Sequence, residues 1–554
     1  MASDSSSTLP QETLTGQCAD IAQTAERREV PPASASSIAR STGVLAMATG
    51  LSRLLGFIRD ILMAQLFGTM LQAQAFVVAF RLPNLMRDLV AEGAVTSAFV
   101  PVLSWYRAKE PPEEFWRLSQ ALAVRMLVVV SVIGLTGSLA APLIVRGVAP
   151  GFVHDSEKFA LTVALTRVLF PFITLVGAWA YFMGLLNSLR CFAVPALGPA
   201  ILNVAMIIAC VWIVPRSSSG VMALALSIMV GGLIQLAVQI PLAVKRGFRW
   251  RWRWMHPGSG EILRLLGPRM VGAAAYQVSV LVDTALASLG AVVGEGAVAA
   301  LYFANRLVQL PLALFGTASA QASLPSLAEQ AAHGSWKTFR LTLLSVIRMV
   351  GFVILPSSVG LIVLAFPIVA GLFERGAFDH HSTVMTAQAL MCYAVGLLAY
   401  SLSKVMTGAF YSLRETRVPV KLAVESVIVN VVLSVLLMWP LHISGLALAT
   451  ALSNSLNAYR LIRRMEKRLQ APLLRPVAGS LLRMVGASAG MGLGCRIVWH
   501  LFAPAMPAWL TLLVAVVTGF VLYAILCAIL RVHELFRILQ WLAKQPFIQL
   551  FVSG

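Results

Sequence analysis

Long apolar stretches separated by short polar connections occupy nearly the whole of this 554-residue chain. About 20 consecutive apolar residues are enough to cross the hydrocarbon core of a membrane as a helix, and backbone in lipid must satisfy its own hydrogen bonds. The pattern therefore predicts an all-α polytopic membrane protein with fourteen transmembrane helices. Their predicted centres lie near Leu55, Leu89, Val132, Thr174, Met206, Val230, Val278, Leu312, Leu355, Leu398, Val429, Thr450, Ala489 and Val517.

The composition supports the membrane class, because 58% of the residues are hydrophobic, only 12% are charged and the mean hydropathy is +0.81. A net charge of +20 would also suit a nucleic-acid binder. The basic residues, however, lie at the ends of apolar stretches and form no single patch, so we expect no nucleic-acid partner. The six cysteines show no C-x-x-C spacing and predict neither a metal site nor a disulfide framework.

The basic residues also predict how the chain is threaded through the membrane. Most of them follow even-numbered spans, whereas the odd-numbered connections carry only Arg146, Lys158, Arg216, Arg375 and Arg496. Because cytoplasmic loops are enriched in Lys and Arg, the even-numbered connections and both termini are predicted to be cytoplasmic. Residues 1–40 are polar and lack the features of a signal peptide, so they are predicted to form a disordered cytoplasmic tail.

One even-numbered connection has an unusual pattern, since Trp and Arg alternate at the start of RWRWRWMHPGSG, from Arg249 to Gly260. Such a segment could bind anionic lipid, or it could form an interfacial strap between two helix bundles. We favour the strap.

The chain repeats itself once. SLRCFAVP at Ser188–Pro195 returns as SLRETRVP at Ser412–Pro419, and the FRLPNL around Arg81 returns as the NRLVQL around Arg306 at nearly the same offset. An offset that spans six helices restores the same orientation, so the copies are predicted to be parallel repeats. We expect an N-terminal lobe (residues 41–246, helices 1–6), a C-terminal lobe (247–470, helices 7–12), and a last segment (471–554) with helices 13 and 14 and a cytoplasmic tail.

Ionisable side chains fall inside three of the predicted spans. They are Arg53, Arg59 and Asp60 in the first, Arg81, Arg87, Asp88 and Glu92 with the polar Asn84 in the second, and Arg306 in the eighth. A charge at this depth costs ~2.5–3.5 kcal/mol on insertion scales, which leaves two interpretations: mutual ion pairs that hold a lobe together, or a polar cavity. We favour the cavity. Because arginines outnumber the acids, it is predicted to bind an anion such as a lipid-linked diphosphate.

The order of residues along the first span makes a further prediction. Arg53, Gly56 and Asp60 share one helical face, and Arg59 lies on another. Arg59 and Asp60 are therefore predicted not to contact each other, and each is expected to pair with a different helix.

Several motifs resemble those of the MurJ/MviN family of lipid II flippases, which belongs to the multidrug/oligosaccharidyl-lipid/polysaccharide exporter superfamily. They include GLSRLLGFIRD, AFRLPNLMRDLVAEGAVTSAFVPVL, GLLNSLRCFAVPALGPAILN, ANRLVQLPLALFGTASAQASLPSLA and GAFYSLRETRVPVK. The resemblance covers the chain from about Thr42 to the fourteenth span. It implies export of lipid II, the peptidoglycan precursor, across a bacterial inner membrane by alternating access, with membrane lipids as neighbours and a monomer as the working unit.

The resemblance also implies roles for particular residues. The arginines of the family's cavity correspond to Arg53, Arg59, Arg87 and Arg306, and the acid of its second helix corresponds to Glu92; a groove beside the last two helices would hold the polyprenyl tail. Some members bind sodium in the second lobe, and the similar positions here are Asp283, Asn430, Thr450 and the Leu446 carbonyl. The chain departs from the family at Gln74, Asn305, Gln309 and Ser434, where members often carry acids. These departures leave sodium binding open.

Two other function classes remain as alternatives. A related exporter of another polyprenyl-diphosphate-linked sugar would need the same cationic cavity, whereas a cationic cavity argues against organic-cation drugs. A membrane enzyme that acts on polyprenyl phosphates would need acids or histidines in a catalytic or metal-binding arrangement. The candidates for such a site are His154, Asp155 and Glu157 in one outer connection, and Asp379, His380 and His381 in another, but neither group has the spacing of a metal motif.

Overall fold

The computed structural model describes residues 35–89 and 98–543, and within these ranges every regular element is a helix. The first helix begins at Ala35, inside the segment predicted as a tail. Glu92 and Gly93 lie outside the described residues, as do positions 1–34 of the predicted tail.

The first half of the chain contains ten helices: α1 Ala35–Phe67, α2 Leu71–Arg87, α3 Val100–Lys109, α4 Pro112–Leu139, α5 Ala141–Val148, α6 Ser156–Leu169, α7 Phe172–Ser188, α8 Ala193–Ala196, α9 Gly198–Ile208 and α10 Gly220–Lys245. Pro150–His154 and Val214–Arg216 form 3₁₀ turns, and Ala209–Ile213 forms a wide π turn.

The second half contains twelve: α11 Gly258–Ala287, α12 Gly290–Val293, α13 Ala297–Pro311, α14 Ala318–Ala332, α15 Trp336–Val363, α16 Ala365–Phe373, α17 His380–Val395, α18 Leu397–Ser412, α19 Arg417–Leu469, α20 Leu474–Phe502, α21 Ala508–Ile529 and α22 His533–Ala543. A π turn at Leu312–Thr317 joins α13 to α14.

All fourteen predicted centres lie on helical backbone, but the count of fourteen spans is not confirmed. Among the described residues, nine helices are long and apolar enough to cross a membrane, or ten if α17 and α18, bent by 46° at their junction, form one span. In this number α19 counts as one helix, although it contains two of the predicted centres.

Helix α19 is a hairpin of two helices. Its 53 residues would extend about 80 Å if straight, more than twice the hydrocarbon thickness. The backbone breaks at His442 (φ 50, ψ −129). Contacts on either side pair the two arms antiparallel, since Ser426 donates to the Ser453 carbonyl at 3.1 Å and Arg460 pairs with Glu425 at 3.0 Å. The two predicted spans are thus both present, and they are separated by the turn at His442.

The sequence repeat reappears in the backbone. Arg190 and Arg414, which occupy equivalent positions in the two copies, both adopt a left-handed conformation (φ 62 and φ 59) at the end of a helix. Each is followed by an amide that bonds back five residues, from Cys191 to Leu186 at 2.8 Å and from Glu415 to Phe410 at 3.0 Å. This is the same helix-ending motif in both copies. A π turn also begins at equivalent places, at residue 88 in the second span and at Leu312 in the eighth.

The two halves of the chain meet at one end of the bundle, which we call the closed end. It comprises Gly68, Thr69, Gly151 and Lys158 from the first half and Ser288, Glu295, Gly296, Gly376, Ala377 and Ser382 from the second. These residues belong to, or border, odd-numbered connections.

Four contacts join the halves at the closed end. The Ala377 amide donates to the Gln65 carbonyl at 2.8 Å, the Gly151 amide donates to Ser288 Oγ at 3.0 Å, and the Thr69 and Ser382 hydroxyls lie 2.7 Å apart. Lys158 Nζ pairs with Glu295 Oε2 at 2.8 Å.

Glycine permits this close approach. A Cβ at Gly68 would overlap the Ala377 carbonyl oxygen, and a Cβ at Gly151 would overlap the Ser288 carbonyl oxygen. The main chains of the two halves therefore touch directly.

Candidate functional site

Asp60 is the centre of a buried charge network between the two halves. Its side chain is 3% exposed. Arg59 donates to Asp60 Oδ1 from Nη2 at 2.7 Å and from Nε at 3.1 Å, and the Tyr302 hydroxyl donates to the same oxygen at 3.0 Å. The other oxygen, Oδ2, lies 3.2 Å from Arg306 Nε. One carboxylate thus neutralises part of two guanidinium groups.

Arg306 contacts this network through charge more than through directed hydrogen bonds. Its Nε has no partner in hydrogen-bond geometry although Asp60 lies at 3.2 Å, so we regard that contact as an ion pair. Arg306 Nη2 donates to the Tyr302 hydroxyl at 3.1 Å, and its guanidinium lies 4.8 Å from the centre of the Tyr302 ring. The Arg306 side chain remains 31% exposed, so it can still meet a ligand.

The prediction that Arg59 and Asp60 do not touch is wrong. An arginine side chain is long enough to curl round the helix to its neighbour, whereas helical faces describe only the directions of the Cα–Cβ bonds. The accompanying expectation, that each would pair with another helix, is confirmed. Arg59 Nη1 donates to Asn203 Oδ1 on α9 at 2.9 Å, and Asp60 binds Tyr302 and Arg306 on α13.

The repeat places a second acid in an equivalent setting. Asp283 lies on α11, the first helix of the second half, as Asp60 lies on the first helix of the first half. It accepts a hydrogen bond from Asn430 at 2.7 Å and lies within electrostatic range of Arg81. Arg81 also donates from Nε to Thr284 Oγ1 at 3.2 Å. In each half, an acid on the first predicted span lies near an arginine on the second predicted span of the opposite half.

The residues that resemble a sodium site lie together. Asp283 accepts a hydrogen bond from Asn430 at 2.7 Å and lies within electrostatic range of Thr450, whose hydroxyl donates to the Leu446 carbonyl at 3.1 Å. Ser434, one helical turn after Asn430, is fully buried, and its hydroxyl has no partner among the described residues. One carboxylate and several neutral oxygens are a suitable donor set for a hard monovalent cation.

The remaining predicted residues are more open. Arg53 is exposed and makes no hydrogen bond or ion pair within the part of the chain that the structure describes. Arg87 Nη2 pairs with Asp88 at 3.1 Å, and about a third of each side chain is exposed. Asn84 is half-buried. The predicted contact through Glu92 lies outside the described residues.

The charges at this depth do not cancel. Arg53, Arg59, Arg81, Arg87 and Arg306 stand against Asp60, Asp88 and Asp283 among the described residues, and the sequence adds Glu92 as a fourth acid, which leaves an excess of one positive charge. The ion-pair interpretation therefore explains part of the cluster, but among the described residues Arg53 has no acidic partner, and Arg59 and Arg306 share the single carboxylate of Asp60. The cluster can accept an anion.

Sequence reasoning missed three residues of the network: Asn203, Tyr302 and Thr284. Tyr302 precedes Arg306 by four positions, which places both on one helical face, so that spacing could have revealed it. Asn203 is the one amide side chain in the apolar helix α9, and this isolated polar residue could have indicated a partner for a buried charge. Nothing in the sequence indicated Thr284.

Two of the acids considered for an enzyme, Asp155 and Asp379, serve structural purposes. Asp155 accepts from the Lys158 amide at 3.0 Å, and Asp379 accepts from the Ser382 amide at 2.8 Å, so both cap helix N-termini. Among the described residues, no group of three or more His, Cys, Asp or Glu side chains could hold a metal ion.

The family model that matches this chain and two of its curated relatives carry the same family name. The family model described as "Lipid II flippase MurJ" matches residues 63–520. The lipid II flippase MurJ of Burkholderia cenocepacia is 33% identical over 461 residues, which cover 81% of this chain and 88% of the relative. The probable lipid II flippase MurJ of Vibrio cholerae is 32% identical over 480 residues, which cover 85% and 90%.

Solved structures show the same fold. A lipid II flippase MurJ in an inward closed conformation superposes with a TM-score of 0.75 at 24% identity, and the match covers 88% of this chain and 98% of the other. An inward-facing multidrug resistance MATE family transporter of the MOP superfamily gives a TM-score of 0.64 at 15% identity over 76% and 94% of the two chains.

Proposed function

Because the chain belongs to the lipid II flippase MurJ family, we propose that it moves lipid II from the cytoplasmic to the periplasmic leaflet of the bacterial inner membrane for cell-wall synthesis. It is a transporter and not an enzyme. The excess of positive charge at membrane depth is the observation in its own side chains that carries this function.

The cluster suits the headgroup of such a lipid. A diphosphate presents several anionic oxygens, and arginine forks bind such oxygens in pairs. Arg53 is exposed, and Arg87 and Arg306 are about a third exposed, so these three can reach a ligand without unfolding the network. Arg59 is buried against Asp60 and Asn203. We therefore assign it mainly to positioning Asp60 and the opposing half.

We propose that the closed end faces the periplasm, because odd-numbered connections carry few basic residues. Both termini are then cytoplasmic. The headgroup enters from the cytoplasmic side while the polyprenyl tail stays in lipid, and the halves rock about it until the closed end opens. Since both halves of the path come from one chain, we propose a monomer as the working unit.

The test is complementation of cells depleted of their own lipid II flippase. Arg53→Ala is the informative variant because Arg53 has no described partner whose loss could unfold the protein. Arg146→Ala is the matched control, since Arg146 is an exposed arginine in an odd-numbered connection. We expect rescue by the wild type and by Arg146→Ala, and at least about tenfold weaker rescue by Arg53→Ala, as expected for loss of a charge-assisted contact.

Variants Arg59→Ala and Arg306→Ala must be compared for thermal stability as well as rescue, because both hold Asp60. If the inserted wild type fails to rescue, the substrate is a different polyprenyl-linked glycolipid. If Arg53→Ala rescues fully, this arginine does not bind the headgroup.

We also propose that Asp283, Asn430, Thr450 and the Leu446 carbonyl bind sodium. The buried, unpartnered Ser434 hydroxyl beside Asn430 supports a site with room for another donor. Sodium is expected to raise the melting temperature of the wild type relative to potassium, because a ligand that binds only the folded state stabilises it. Asp283→Asn should remove this difference, and a difference that persists in that variant would place the ion elsewhere.

A further inference from the structure

The segment Arg249–Met255, which we call the strap, joins α10 of the first half to α11 of the second. It has no regular secondary structure. Its large apolar side chains are open to the surroundings: Trp250, Trp252 and Trp254 are 51%, 70% and 44% exposed, and the adjacent Met255 is 75% exposed. The described part of the chain leaves much of their surface uncovered.

Both ends of the strap are fixed to α4. Gln120 Nε2 donates to the Arg249 carbonyl at 2.9 Å, and Arg125 Nε donates to the Trp254 carbonyl at 2.5 Å. Arg125 also donates to Ser259 Oγ at 2.7 Å. The bonds to the strap use its backbone, so they hold the segment in place without occupying the polar atoms of its side chains.

The position of the strap fixes its height in the membrane. It runs from the end of α10, which is long and apolar enough to cross a membrane, to the start of α11, which contains the predicted seventh span, so it cannot move far from the level at which α10 emerges. Tryptophan is enriched at that level because its ring is apolar while its N–H stays wet. The exposed rings are therefore placed where lipid headgroups meet acyl chains.

The arginines of the strap carry unbalanced charge. Arg249, Arg251 and Arg253 form no side-chain hydrogen bond or ion pair among the described residues. The nearby acid Glu114 is already occupied by Arg117 at 2.5 Å and by His256 at 3.0 Å. Three guanidinium groups thus remain available to an outside anion.

We propose that the strap is a binding surface for anionic phospholipids, in which the tryptophan rings enter the interface and the arginines pair with lipid phosphates. The occupant is the membrane surface rather than a soluble acidic protein, because the strap is tethered at headgroup level and presents exposed rings beside its charges. Clustered Lys or Arg beside a span attract anionic lipid electrostatically. The surface shares no residue with the Asp60 cluster and does not depend on which lipid the protein exports.

The test measures tryptophan quenching by brominated lipid in the full-length protein. The chain has 12 tryptophans, so the signal of the strap is the difference between the wild type and W250F/W252F/W254F, whose melting temperature confirms folding. Nanodiscs contain the same fraction of brominated phosphatidylglycerol or brominated phosphatidylcholine. We expect phosphatidylglycerol to quench the strap about twice as strongly or more, because three arginines enrich it locally.

The arginines are tested by R249Q/R251Q/R253Q, which should quench equally with both lipids. The matched control is R146Q/R216Q/R375Q, which removes the same charge from exposed arginines of odd-numbered connections and should keep the preference. Each of these charge variants is measured against its own version with the three phenylalanines.

Three results would overturn the proposal. Equal quenching of the wild type by both lipids would make the strap a neutral interfacial anchor. Absence of quenching by either lipid would mean that something other than lipid covers the tryptophans. If R249Q/R251Q/R253Q is still quenched more strongly by phosphatidylglycerol than by phosphatidylcholine, residues other than these arginines cause the preference. Complementation by the wild type is independent of all three results.

Discussion

At the scale of single residues, Asp60 joins the two halves, because its one carboxylate contacts Arg59, Tyr302 and Arg306. Breaking a buried ion pair by removing one partner costs about 3–5 kcal/mol. Asp60→Asn is therefore expected to lower the melting temperature and to abolish rescue. The control is Asp88→Asn, which breaks a pair that is about a third exposed and should cost about 1 kcal/mol or less.

A double variant separates stability from transport. Asp60→Asn with Arg306→Gln removes the acid and one of its arginines together, so it should regain part of the stability lost in Asp60→Asn without restoring rescue. If the double variant melts below both single variants, Asp60 and Arg306 do not act as a pair.

Because charged residues interrupt otherwise apolar stretches, the sequence predicted a cluster of arginines at membrane depth, and the structure brings two of them, Arg59 and Arg306, to one acid. The sequence could not predict how they pair. The contact between Arg59 and Asp60 depends on a rotamer of a long side chain, and Thr284 enters the network only because α11 packs beside α2. Both depend on packing that a one-dimensional pattern does not contain.

At the scale of secondary structure, the N-terminal cap that Asp379 provides to α17 is expected to stabilise the protein in a pH-dependent way. The Ser382 hydroxyl and amide hold the pKa of Asp379 below its ordinary value of 3.8. A lowered pKa means that the cap stabilises the protein above that ordinary value and loses its effect as the pH falls through the lowered one.

Asp379→Ala should therefore cost about 1 kcal/mol at neutral pH. Its difference in melting temperature from the wild type should stay constant from pH 8 to pH 5 and shrink only below about pH 4. Asp379→Asn, which can still cap, should melt close to the wild type. A difference that changes between pH 8 and pH 5 would point to another titrating group.

Substitution of Gly151 tests whether close main-chain packing keeps the closed end shut. Alanine at this position would place its Cβ against the Ser288 carbonyl, whereas Gly147, four residues earlier, has no neighbour within 4 Å. Overpacking costs about 1–3 kcal/mol, so Gly151→Ala should favour opening by about fivefold or more, and Gly147→Ala should not.

The readout is the rate at which an impermeant maleimide labels a cysteine that replaces the buried Ser382 in intact cells. Faster labelling in Gly151→Ala than in Gly147→Ala is expected. Equal rates would show that the contact of Gly151 does not limit opening.

The helices were predicted well, because apolar length decides whether a segment spans lipid. Their interruptions were not. The break at His442 follows Pro440, and its left-handed backbone has no clear marker in the sequence. The fourth and tenth spans are each divided into two helices, at Phe170–Pro171 and at Gly396, and no apolar count shows such a division.

At the scale of the whole molecule, Lys158 and Glu295 provide a reversible test of how the halves meet. Lys158→Glu should weaken the closed end by placing two like charges together, and Glu295→Lys should do the same. The exchanged double variant should restore slow labelling of the cysteine at position 382. If exchange restores nothing, the ion pair is a by-product of closure and does not stabilise it.

The repeat predicted two similar lobes, and the backbone motif shared by Arg190 and Arg414 agrees with that. The sequence did not indicate that the acids and arginines would cross between the halves. Asp60 meets Arg306, and Asp283 lies near Arg81. This exchange follows from the way two related halves face each other, which the offset alone does not specify.

The glycine contacts of the closed end determine how the closure of this end responds to pH and salt concentration. Main-chain groups carry no titratable charge, and close packing is not screened by salt as an exposed ion pair is. The joints between Gly68 and Ala377 and between Gly151 and Ser288 are therefore indifferent to acid and to dilution. In the orientation proposed above, the closed end meets the periplasm, whose acidity and salinity follow the surroundings. There the main-chain contacts would keep their share of the closure when the Lys158–Glu295 pair is weakened by salt or acid.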